Sequence, residues 1–334
     1  MSSELVPLSD TTPIPVDADL ALSAGTAARL ERAMPANTRR AYERQGRDFI
    51  NWCAQHGRTP LPATAQTLAE YVSHLADQDK APSSIEQAIA AIRTAHRNAG
   101  HKGEPETAAA LAVLKVHRRD RAAAGKRKRK APPVTLEPLR AMVDATDPET
   151  LAGLRDRALL VLGFAMMARR SELAGLHVED IRFGDDGLTV LVRKSKTDQT
   201  AEGAEIHVPR GVHPDTDPVR VVRAWLQAMA GHGCNSGPLL RRINRWGQLQ
   251  PGGMSGAAIN DRVRHLAVAA DLPNAPAFTA HGLRAGGPTE AAKAGHPVSF
   301  IADHGRWSKT SPQVMEYIRP VDKWRDNPMR GIGL

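Results

Sequence analysis

At 334 residues, 41% of them apolar, the chain is long enough for two domains and apolar enough to bury their cores. Aromatic residues are only 4%, so those cores must be built from Ala, Leu, Val and Ile, and a net charge of +9 favours a polyanionic partner such as nucleic acid. Cys53 and Cys234 are the only cysteines and no Cys/His cluster has zinc-ligand spacing, so both are expected as plain thiols in a reducing, cytoplasmic compartment.

The opening MSSELVPLSDTTPIPVDADL has no basic start followed by an apolar run, so no signal peptide is expected, and no later stretch has the ~20 apolar residues of a membrane span. The first 28 residues carry four acidic and no basic side chains, so residues 1–34 read as a flexible N-terminal tail with one short helix at its end. Four helices then fill residues 35–118. In the first, Asn37 or Thr38 caps and Tyr42, Phe49, Ile50 and Cys53 form the apolar face. The second repeats Leu68, Tyr71, Val72 and Leu75 at i, i+3, i+4, i+7, the third turns Ile85, Ala88, Ile89 and Ile92 inward, and the fourth presents Leu111, Val113 and Leu114. Residues 119–134 read as a basic linker, with Lys126, Arg127, Lys128, Arg129 and Lys130 ahead of two helix-breaking prolines.

The second domain spans 135–334. TLEPLRAMVDAT and the long ETLAGLRDRALLVLGFAMMARRSELAGL read as helices, and LTVLVRKS and AEIHVPR as one short hairpin. DPVRVVRAWLQAMAG and MSGAAINDRVRHLAVAADL are helices again, and the remainder is helical with Gly and Pro breaks. The expected class is mainly α with a small β-sheet.

Four dispersed motifs carry candidate chemistry. In MARRSELAGL, Arg169 and Glu172 are i, i+3 neighbours, so the carboxylate can orient the guanidinium. VRKSKTDQ places Lys194 and Lys196 at a polar turn. In AHGLRAGG, His281 and Arg284 are again i, i+3 and can face one phosphate from the start of a helix. HGRWSKTSPQVMEYIRP gathers Trp307 and Tyr317 in a chain with only five Trp and three Tyr.

Taken in order, these motifs resemble the tyrosine recombinases, or phage integrases, and within them the Cre-like enzymes. ARRSEL supplies the first Arg (Arg169) with Glu172 at the acidic position, SKT the hairpin Lys196, HGLR the pair His281 and Arg284, GRW Trp307, and MEYIR the nucleophile Tyr317. The resemblance covers residues 135 to about 330 and, more loosely, 37–118. Lys194 competes with Lys196, and Pro312 suggests a loop that absorbs the ten-residue spacing from Trp307 to Tyr317.

The resemblance implies a two-domain DNA clamp: a helical SAM-like core-binding domain plus a catalytic domain ending in an oligomerisation segment. It implies a site-specific recombinase in which Arg169 and Arg284 neutralise the phosphate, Tyr317 attacks, His281 takes the proton, Lys196 protonates the leaving oxygen and Trp307 supports the phosphate. No metal, ATP or other cofactor is implied. The implied partners are double-stranded DNA sites, as inverted repeats, and a homotetramer on two sites assembled from monomers, with Trp324, Ile332 and Leu334 touching a neighbour; no membrane is involved. For DNA contact the candidates are Arg39, Arg40, Arg44 and Arg47 on the first helix, Arg93 and Arg97 on the third, and the linker bases from Lys126 to Lys130. A type IB topoisomerase and a DNA-binding protein without cleavage are the alternatives.

Overall fold

The computed structural model describes residues 22–126, 131–193, 203–308, 312–318, 329 and 331–332. They fall into two units, one before residue 129 and one from it onward, and each has its own core.

The first unit is helical. Helix α1 (Ala24–Ala33) is capped by Ser23, whose hydroxyl accepts from the Thr26 N–H at 3.2 Å. Helices α2 (Ala36–Gln55), α3 (Ala65–Asp77), α4 (Pro82–Asn98) and α5 (Ala108–Ala123) follow, with α3 packed on α5 and α2 on α4. The expected inward faces of α3 and α4 are all buried.

Three expectations in this unit are corrected. Helix α2 begins at Ala36 behind Pro35, whose fixed φ suits the entry to a helix, so neither Asn37 nor Thr38 caps it. Its buried face is Gln45, Phe49, Trp52 and Cys53, which leaves Ile50 53% exposed. The face turns because Trp52 stacks toward Phe49 and lies 5.1 Å from Tyr71. In α5 the inward stripe is Ala110, Leu114 and His117, the last bonded to the Lys80 carbonyl at 2.9 Å, so Leu111 points outward.

The second unit is built around α7 (Leu151–Ala165), which is apolar on nearly every side and buried to match. Around it lie α6 (Leu136–Asp144), the short α8 (Arg170–Ala174), α9 (Pro218–Gly231), α10 (Gly256–Ala269) and α11 (Ala280–Lys293). Fully buried Asp156 on α7 accepts from Arg155 at 2.7 Å and from Arg262 of α10 at 2.6 Å, so its charge is paired twice. An antiparallel sheet runs β1 (Ile181–Phe183), β2 (Gly187–Val192), β3 (Ala204–Pro209), with Leu188 opposite Val208 and Val190 opposite Ile206 on the buried face. A second pair, β4 (Arg241–Ile243) and β5 (Leu249–Gly253), stands apart. The anticipated single hairpin is therefore β2 and β3, to which β1, β4 and β5 are added.

The expected long helix through Glu172 is two helices. Met167, at φ +47, breaks the chain between α7 and α8. Two further helices, α12 (Val298–His304) and α13 (Pro312–Ile318), pack with α11. Pro312 opens a helix, consistent with proline's fit to a first helical position. A small apolar cluster of Met167, Ile301, Ala302, Trp307 and Val314 holds α12 and α13, with Tyr317 packed at its edge. Cys53 and Cys234 are free thiols.

Candidate active site

The break at Met167 fixes the first arginine. Arg169 stands at the N-cap of α8 with extended backbone, and Glu172 is three residues inside the helix. The Glu172 carboxylate reaches back to accept the Arg169 backbone N–H at 2.9 Å and its guanidinium at 2.7 Å, a capping geometry that also aims the side chain. The expected i, i+3 pairing is thus present.

Arg284, the fifth residue of α11, is 2% exposed. Its guanidinium donates to the carbonyls of Met167 and Gly305, the latter at 2.8 Å, and lies 4.1 Å from the centre of the Trp307 ring. Burial, then the nearby Arg169, pulls its pKa down to about 9, with Arg306 adding to the effect, so it remains charged at neutral pH. Gly305 has no room for a side chain because the Trp307 ring fills the place a Cβ would take.

Trp307 lies 5.6 Å from Tyr317, ring centre to ring centre, and Tyr317 sits 5.9 Å from His281. The Tyr317 hydroxyl is 3.0 Å from Nε2 of His281, within hydrogen-bond reach. His281 is exposed in the first turn of α11, whereas Arg284, one turn on, is buried. Arg169, Glu172, His281, Arg284, Trp307 and Tyr317 therefore form one connected constellation. Lys194 and Lys196 lie outside the described residues.

Sequence reasoning missed two members. Arg306, at φ +56, donates to Glu172 at 2.6 Å and to the carbonyls of Met166 and His304, each at 3.2 Å. Burial opposes ionisation of Glu172, but Arg306 and then the Arg169 N–H and guanidinium outweigh it and hold the carboxyl at about 2. Burial is also the largest influence on Arg306 and lowers its pKa against the pull of Glu172. Thr289 of α11 anchors the Tyr317 backbone, donating to the Tyr317 carbonyl at 3.2 Å while also bonded to the Ala285 carbonyl at 2.8 Å. The available signal for Arg306 was a charged residue set between Gly305 and Trp307 in a stretch otherwise marked for the site.

The phage integrase family model matches residues 134–323 and the model of its N-terminal SAM-like domain residues 28–103. The integrase/recombinase xerD homolog of Selenomonas ruminantium is 33% identical over 304 residues, covering 90% of this chain and 86% of that protein. The chain belongs to the phage integrase family, the tyrosine recombinases. The recombinase is also 23% identical over 289 residues to the Recombinase cre of Escherichia phage P1, covering 83% of this chain and 82% of that one. Its fold is that of a chain of lambda integrase, which was solved as a tetramer bound to a Holliday junction, with a TM-score of 0.52 and 16% identity over 87% of this chain and 76% of that one.

Seven of the residues expected to contact DNA, the six helix arginines and Lys126, lie in the first unit. Arg40, Arg44 and Arg47 follow i, i+4, i+7 along α2 and are exposed, as is Arg97 on α4. Arg39 and Arg93 are half-buried, and Arg39 pairs with Glu43 at 3.9 Å. Lys126 is bound to Asp79 at 2.8 Å, a carboxylate it shares with Arg121. Arg127, Lys128, Arg129 and Lys130 lie outside the described residues. No helix among the described residues is long and apolar enough to cross a membrane.

Proposed function

We propose that this recombinase cleaves DNA with Tyr317, holds the broken strand as a 3′-phosphotyrosine and passes it to a second duplex through a Holliday junction. The observation that carries the reading is the Tyr317 hydroxyl 3.0 Å from His281 Nε2, in a cluster that includes the buried Arg284 guanidinium.

The chemistry follows from charge. A phosphodiester carries one negative charge, and attack by a deprotonated tyrosine makes the pentacoordinate species doubly negative. Arg169, Arg284 and Arg306 against the single carboxylate of Glu172 leave an excess of two positive charges, which complements that state more than the ground state. Arg169 and Arg284 supply the phosphate-binding forks, since arginine stays protonated and presents its donors in a plane. Tyr317, whose type has a pKa near ~10, gives its proton to His281 as its oxygen bonds to phosphorus. The bond from phosphorus to the 5′-oxygen breaks with its electrons, and Lys196, or Lys194 in its place, delivers a proton to that oxygen. Trp307 packs between Arg284 and Tyr317 and sets their spacing. The phosphotyrosine keeps the bond energy, so a 5′-hydroxyl from a partner strand attacks it directly and no ATP, metal or other cofactor enters.

Two duplexes exchanged on both strands need four tyrosines, which argues for a homotetramer on two sites, assembled from monomers. Two protomers on one site by a two-fold axis favour inverted repeats. In this reading residues 35–118 are the core-binding domain, 119–134 a phosphate-tracking linker and 135–334 the catalytic domain, acting in the cytoplasm where the DNA is. The arginines of α2 and α4 and the bases from Lys126 to Lys130 supply phosphate and base contacts. Trp324, Ile332 and Leu334 seat the C-terminal segment on a neighbour.

The test begins by capturing duplexes from a random-sequence library on the Tyr317→Phe protein. The native protein is then given those duplexes, nicked near the centre so that a covalent complex accumulates. Native protein forms the complex and Tyr317→Phe binds without forming it; an adduct from the Phe variant sinks the assignment. Two copies of the captured site on one plasmid then recombine without added metal or nucleotide, whereas relaxation alone would point to a topoisomerase.

A further inference from the structure

We propose that Arg306 is a positioning residue for Arg169, supplying the counter-charge to Glu172 so that the Arg169 guanidinium remains available to the scissile phosphate. The inference rests on the proposed reading of the site. Glu172 has two carboxylate oxygens, and each has its own guanidinium. Oε1 accepts from Arg169 at 2.7 Å, and Oε2 accepts from Arg306 at 2.6 Å as well as from the Arg169 backbone N–H. With Arg306 removed, the buried carboxylate would have Arg169 as its nearest cation, and that pair would be close to neutral toward a phosphate.

The geometry ties Arg306 to the Glu172 carboxylate and to its own surroundings. Its terminal nitrogens are engaged by Glu172, Met166 and His304, all groups of the protein, and its side chain is only 11% exposed. The backbone supports the same placement. Arg306 adopts φ +56, a conformation L residues avoid, one residue before Trp307 and 134 residues from its carboxylate partner. A non-glycine residue held there by three side-chain hydrogen bonds, to the Met166 carbonyl just past α7, to Glu172 of α8 and to His304 of α12, is what a device for registering the Trp307 turn against Arg169 requires. One side chain thereby ties together the two segments that carry the first arginine and the tryptophan.

The test uses the nicked captured duplex and four proteins: Arg306→Gly, Arg306→Lys, Glu172→Gln and the Arg306→Gly/Glu172→Gln double variant. Glycine fits the positive φ without strain, so this variant removes the guanidinium and leaves the turn at ease. Arg306→Gly is expected to slow single-turnover adduct formation about 100-fold, the scale of a misplaced catalytic group, while DNA affinity changes less than about threefold. The double variant is expected to react faster than Arg306→Gly alone, because the unpaired carboxylate that captures Arg169 is gone.

A double variant slowed by the product of the two single effects would overturn the proposal and place Arg306 on the phosphate itself. A folded Arg306→Gly protein that reacts within threefold of native would overturn it as well. Should Arg306→Gly lose its melting transition, Arg306→Lys carries the test: with the counter-charge kept, it is expected within about tenfold of native, and a folded but inactive Lys variant contradicts the proposal. Tyr317→Phe is run beside them. An adduct from it overturns the reading of the whole site, whereas its silence with an unaffected Arg306→Gly overturns the Arg306 inference alone.

Discussion

At Glu172 a side chain with 1% of its surface exposed accepts from two guanidiniums and a backbone N–H. Its carboxyl is held at about 2 against an ordinary 4.5, so the folded state favours the ionised form. A depressed carboxylate pKa contributes stability that is present above pH 4.5 and is lost as pH falls through 2. The shift corresponds to about 3 kcal/mol at neutral pH. Glu172→Gln is therefore expected to lower the Tm at pH 7, with the gap to the native protein closing as pH drops from 5 toward 2. Thermal melts across that range check this, and a gap independent of pH would show that Glu172 is not the linked group. At this scale much of the site was legible, because Arg169, His281, Arg284, Trp307 and Tyr317 sit in short motifs whose order is informative. Arg306 was not, since its role depends on a left-handed backbone and on a carboxylate 134 residues away.

Among the elements, α11 is closely approached by backbone. A Cβ at Gly286 would lie 1.7 Å from the Val134 carbonyl oxygen, and one at Gly282 would lie 2.6 Å from that of Pro132. These glycines let the chain from 132 to 134 lie directly on the helix, where the Val134 N–H donates to the Gly282 carbonyl at 2.9 Å. Gly286→Ala is a contest between helix propensity, worth about 1 kcal/mol in its favour, and overpacking, which typically costs about 1–3 kcal/mol. Overpacking wins here because the obstacle is backbone and cannot swing aside, so the Tm is expected to fall by several degrees (about 2–4 °C per kcal/mol at this size). An unchanged or raised Tm in calorimetry would contradict the packing. Helices α3 and α4 were readable because their apolar residues keep strict helical spacing. The break between α7 and α8 was not: LLVLGFAMMARRSEL has no Pro or Gly after Gly163, and Met167 turns where Arg284 takes its carbonyl. Strands β1 and β4 have three residues each and β5 contains Pro and Gly, too little for an alternation signal.

For the whole molecule, a net charge of +9 makes DNA affinity depend on salt, with the logarithm of the binding constant falling linearly against that of salt. If α2 tracks the backbone through its exposed stripe, Arg44→Ala reduces that slope by about 1 and weakens all sequences alike. An unchanged slope would remove Arg44 from the interface. The account as a whole turns on which atom becomes joined to DNA, and the chain has only three tyrosines, Tyr42, Tyr71 and Tyr317, to choose among. Tyr71 is 2% exposed in the core of the first unit and cannot reach a duplex without unfolding it. The most direct measurement is to trap the covalent complex, digest protein and DNA, and identify the nucleotide-bearing peptide by mass spectrometry. The account predicts a nucleotide on Tyr317 in the peptide containing VMEY, and a nucleotide on Tyr42, or on a serine, would contradict it.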